Sequence, residues 1–97
     1  MIDENFYPQF HVLFGAYLNQ DSDLWGDTLE EVVSCFKRDS SPAQIQDTLA
    51  EIDKFEKETG KDLDQEFSDA YGNDFDPILW GYTTITFFDE LKRILTT

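Results

Sequence analysis

From Phe10 to Leu95 the large apolar side chains recur at intervals of three and four residues, the period of a helix that buries one face. Phe10, Leu13, Phe14, Tyr17 and Leu18 make the first stripe, and Pro8 suits a first helical turn, so a helix is expected over Pro8–Asn19. Leu29, Val32, Val33 and Phe36 make the second, capped by Asp27 or Thr28 and ending near Arg38 or Asp39. Ser41-Pro42-Ala43-Gln44 is a start signal for a third helix carrying Ile45, Leu49, Ile52 and Phe55, which Gly60 terminates. Asp62 can cap a fourth, with Leu63, Phe67, Ala70 and Tyr71 inward and Gly72-Asn73 as its stop. Thr84 or Thr86 can cap the last, with Phe87, Phe88, Leu91, Ile94 and Leu95 inward and Lys92 and Arg93 near its negative end. The Thr84-Ile85-Thr86 run also suits a short strand, but the spacing after it is helical. Between Asn73 and Tyr82 lie Phe75, Ile78, Leu79 and Trp80 among Asn, Asp, Pro and Gly, so this is an ordered apolar loop whose hydrophobic side chains need burial. The expected fold is all-α: one domain over residues 1–97, a compact bundle of about five helices.

The surface of such a bundle is set by charge. Twenty-one Asp and Glu stand against seven Lys and Arg, a formal charge of −14. Nine Phe, four Tyr and two Trp are too much large apolar surface for a disordered acidic tail. A field of this sign repels nucleic acid and anionic membranes and speeds encounters with cationic proteins, so a basic protein is the expected partner and direct contact with nucleic acid or membrane is not. The acids of the third and fourth helices, among them Asp47, Glu51, Asp53, Glu56, Glu58, Asp62, Asp64 and Glu66, read as a solvated face that Lys54, Lys57 and Lys61 only partly balance. Cys35 is the single cysteine, expected in the core beside Val32, Val33 and Phe36, which suits a reducing compartment. No Lys or Arg precedes Lys37 and no apolar run approaches the roughly 20 residues of a membrane span, so a cytoplasmic location is expected.

Little in the chain points to catalysis. His11 and Cys35 fall on different expected helices without a supporting motif, and there is no Gly-rich phosphate loop or metal-ligand cluster. Asp21-Ser22-Asp23-Leu24-Trp25-Gly26 opens like a calcium loop, but Trp25 stands at the fifth position and Val32 at the twelfth, where oxygen ligands are needed. No enzyme activity, metal or cofactor is expected. The binding candidates are instead Asp21, Asp23, Asp27, Glu30 and Glu31 clustered around Trp25, with Asp74 and Asp76 in the later loop. A tryptophan within a carboxylate cluster is suited to anchor a basic partner, whereas Trp80, among Ile78, Leu79 and Tyr82, reads as core.

Leu13-Phe14-Gly15-Ala16-Tyr17-Leu18-Asn19-Gln20-Asp21-Ser22-Asp23-Leu24 resembles the opening signature of a family of helical immunity proteins from bacterial contact-dependent growth inhibition systems. Leu49-Ala50-Glu51-Ile52-Asp53, then Gly72 before a variable loop, then Phe88-Asp89-Glu90-Leu91 with Ile94-Leu95, follow in the same order and extend the likeness over about Phe6 to Leu95. Two departures stand out. The family often carries His-Gln-Asp-Trp where this chain has Asn19-Gln20-Asp21-Ser22, and a tryptophan where Phe88 stands, which leaves Trp25 as the ring nearest the first position. The resemblance implies a cytoplasmic antidote that binds the toxic C-terminal domain of a cell-surface effector in a 1:1 complex and blocks its active site. Many such toxins are nucleases, whose basic groove an acidic protein can fill in place of substrate. A nucleic-acid mimic directed at a DNA- or RNA-binding protein, or an adaptor or chaperone of a basic protein, would share the same field and differ in partner.

Overall fold

The computed structural model describes residues 4–19, 22–73 and 75–97, and among them no strand occurs. Five α-helices carry the fold: α1 Pro8–Val12, α2 Leu29–Asp39, α3 Pro42–Thr59, α4 Leu63–Tyr71 and α5 Thr84–Thr96. All five contribute to a single core, and a radius of gyration of 12.3 Å suits one body of this length. No helix among the described residues is long and apolar enough to cross a membrane.

The starts of these helices follow from local chemistry. Thr28, not Asp27, caps α2: its hydroxyl accepts the Glu31 N–H at 3.2 Å. Ser41 and Gln44 form a reciprocal capping box at α3, with Pro42 at the first helical position. At α5 the cap is Thr83, one residue before Thr84, rather than Thr84 or Thr86, and Thr86 is the box partner that accepts the Thr83 N–H at 2.8 Å. Asp62 makes no side-chain cap bond, because the short 3-10 turn Gly60–Asp62 already leads the chain into α4.

The first helix departs from regularity. After Val12 it widens into a π-helix over Leu13–Tyr17, with the Leu18 N–H reaching back to the Leu13 carbonyl at 2.7 Å. Two carbonyls near its end are taken by side chains: Gly15 by the Asn19 amide at 2.7 Å and Ala16 by the Trp25 indole N–H at 3.0 Å. The start of α1 is satisfied from elsewhere. Tyr7 precedes Pro8 without a capping side chain, and the Glu51 carboxylate of α3 accepts the Gln9 N–H at 3.0 and 3.1 Å and the Phe10 N–H at 3.0 Å. Glu51 is therefore buried rather than part of the solvated acidic face, and burial raises its carboxyl above the ordinary range against the pull of those two N–H groups.

Aromatic rings fill the centre. Phe10 lies within 6 Å of Tyr7, Phe14, Phe55, Tyr71 and Phe88, by ring centroids of 5.4, 5.5, 5.8, 5.7 and 5.9 Å. Phe14 extends the cluster to Phe67, Phe75 and Phe87. Cys35 falls one position off the α2 core stripe and is half-buried rather than enclosed; its thiol donates to the Trp25 carbonyl at 3.4 Å.

Candidate partner-binding face

Two connections supply the candidate residues, and neither contains a Lys, Arg or His: residues 20–31 before and into α2, and residues 72–83 before α5. The first is pinned to the core. Trp25 is half-buried, its ring 4.8 Å from Tyr17 and its indole N–H held by Ala16. Gly26 is required here, since a Cβ at that position would meet the Glu31 Cβ at 2.4 Å; the missing side chain lets the connection lie against the first turn of α2. Asp23 and Asp27 are exposed and enter no ion pair among the described residues. Glu31 is exposed and engages the Thr28 hydroxyl at 3.1 Å. Glu30 is exposed but partly neutralised by Arg93 of α5 at 3.5 Å, which also pairs with Glu90. Asp21 and Asp74 lie outside the described residues.

The second connection ends in a hydrogen-bonded turn over residues 76–82. Asp76 caps the 3-10 segment Pro77–Trp80 by accepting the Ile78 N–H at 3.0 Å. Gly81 closes it in the left-handed conformation, φ 88°, which lets its N–H return to the Ile78 carbonyl at 3.1 Å while the Tyr82 N–H reaches the Pro77 carbonyl at 3.0 Å. With three residues per turn, positions 77 and 80 share one side of this segment. Pro77 is buried, and Trp80 is half-buried against Phe75 at 5.6 Å. Ile78 and Leu79 then point away from the core and are 75% and 82% exposed, which corrects the expectation that the apolar side chains of this loop are buried.

The fold brings the two connections together. Asp27, Thr28 and Leu29 form one wall of a shallow cleft and Leu79, Trp80 and Tyr82 the other. Asp76 faces the opposite side of the turn, where it lines a second concavity with Ile78 and Asp64. The carboxylates grouped around Trp25 by charge leave out Ile78 and Leu79, which the fold exposes, Leu79 beside Asp27. The signal was present in the Asp76-Pro77 start and Gly81 stop of a turn too short to hide four consecutive apolar residues.

Comparison with curated proteins and with solved structures gives no match. The family model described as CdiI immunity protein matches residues 6–95, nearly the whole chain and the span over which the Leu13–Leu24 signature and its downstream blocks run. The chain belongs to the CdiI immunity protein family.

Proposed function

We propose that this chain neutralises a nuclease, the toxic C-terminal domain of a contact-dependent growth inhibition effector, by covering its basic substrate groove in a 1:1 complex in the cytoplasm. Membership of an immunity family carries the reading, because it implies an inhibitor that acts on a cognate toxin rather than an enzyme. The choice of a nuclease rests on charge. A nuclease presents cations to its phosphate backbone, and two adjoining connections here offer carboxylates and carry no Lys, Arg or His of their own, with Glu30 partly neutralised by Arg93 of α5. Asp23, Asp27, Glu30, Glu31 and Asp76 supply the field, with Asp21 and Asp74 in the same segments and Trp25 as the ring that holds Ser22–Thr28 in place.

Reversing Asp23 and Asp27 to Lys is expected to slow association with the toxin domain encoded by the upstream gene and to flatten the salt dependence of that rate, at about 1 kcal/mol or less for each exposed charge. Trp25→Ala is expected to act mainly on dissociation and to cost about 2 kcal/mol or more, since the connection loses its ring contact with Tyr17 and its hydrogen bond to Ala16. Surface plasmon resonance reads both rates, with circular dichroism confirming that each variant folds. If all three changes leave binding at the parental level while substitutions on the exposed face of α3 abolish it, the interface lies elsewhere.

A further inference from the structure

Ile78 and Leu79 are large aliphatic side chains held in water by a turn whose backbone is already committed. Asp76 caps it, Pro77 is buried beneath it, and Gly81 locks its exit. Exposed aliphatics on a floppy loop would lose much conformational freedom on binding, but here that freedom is given up during folding, so burial against a partner is largely retained as affinity. The surroundings define the partner. Asp27 lines the cleft beside Leu79, while Asp64 and Asp76 line the concavity beside Ile78. An apolar pair flanked on both sides by exposed carboxylates matches a surface of inverse pattern: an apolar depression rimmed by Lys or Arg.

Resting on the reading of the chain as a toxin-neutralising protein, we infer that Ile78 and Leu79 are the apolar anchor that enters such a depression on the toxin domain, with Asp27, Asp64 and Asp76 meeting its basic rim. A second copy of this chain is a poor occupant, because each copy carries a formal charge of −14 and would bring its own carboxylates to those of its neighbour. The anchor also divides labour within the face: the carboxylates accelerate encounter, and the aliphatic pair holds the complex once formed.

The test is the double variant Ile78→Ser, Leu79→Ser in the full chain, measured by surface plasmon resonance against the recombinant toxin domain of the effector encoded upstream. Multi-angle light scattering and thermal unfolding accompany it. The expected result is a Kd raised about 100-fold or more, almost entirely through faster dissociation, with the unfolding midpoint unchanged because neither side chain contributes to the core. Ile78→Val, Leu79→Met, which keeps apolar bulk, is expected to stay within about 10-fold of the parent. Binding of the double serine variant within about 3-fold of the parent overturns the anchor and leaves the immunity reading intact. A parent that neither binds nor protects cells against that domain overturns the immunity reading, and the anchor on the toxin with it. A parental dimer that the serine variant dissociates without loss of toxin binding assigns the pair to self-association and also overturns the proposal.

Discussion

Phe10→Ala is expected to destabilise the protein by about 3–5 kcal/mol, the range for removing a fully buried aromatic ring that leaves a cavity behind. The site is at the severe end because Phe10 is completely enclosed and touches rings from the π-helix Leu13–Tyr17, α3, α4 and α5 together, so no single neighbour can move in to fill the void. Against a total stability of roughly 5–15 kcal/mol for a domain, that loss leaves little margin. Urea denaturation followed by circular dichroism should show a lower midpoint with an unchanged slope, and the melting temperature should fall by about 15 °C or more. A loss under about 1 kcal/mol would mean that the rings do not form one interlocked centre. Protection of cells should fall with folded population although Phe10 touches no part of the proposed face.

Glu51→Ala is expected to cost about 2–4 kcal/mol. It strands the Gln9 and Phe10 N–H groups at the start of α1, and a buried donor without a partner costs about 1–3 kcal/mol. Glu51→Gln keeps an acceptor oxygen and should cost about 1 kcal/mol or less at pH 7. The two variants therefore separate loss of the acceptor from loss of the charge. The charge itself has a sign that titration reveals. Burial raises the folded carboxyl above its unfolded value of 4.5, so the folded state holds that proton more tightly. Its contribution is fully present below 4.5 and is lost as pH rises through the raised folded value. Stability of the parent relative to Glu51→Gln should accordingly fall as pH climbs through that window, and a rise over the same window would show that the two N–H groups outweigh burial.

Much of the fold is legible from the residues alone. The three-and-four spacing of Leu29 to Phe36, Ile45 to Phe55 and Phe87 to Leu95 places α2, α3 and α5, because a helix in water is stable mainly through the apolar stripe it buries. Ser41, Pro42 and Gln44 set the start of α3 through bonds that span only three residues. The acidic, cation-free character of both connections is likewise a property of the sequence, as is the signature that points to the immunity family. What resisted reading depends on contacts between distant segments. Glu51 looks like any acid on a charged helix until the start of α1, 41 residues away, arrives with two unpaired N–H groups. Cys35 looks like core until the Trp25 carbonyl settles beside it. Periodicity also cannot foresee that the Leu13–Tyr17 segment widens while Asn19 and Trp25 take its carbonyls. Most consequential is the turn before α5. Local sequence explains why Pro77–Trp80 is ordered, but only the packing of Phe75, Pro77 and Trp80 against the bundle decides that Ile78 and Leu79 face outward, beside Asp27 from a connection some fifty residues earlier. The physical reason is that helices and caps are made by neighbours in the chain, whereas a binding face is made by whichever loops the core brings side by side.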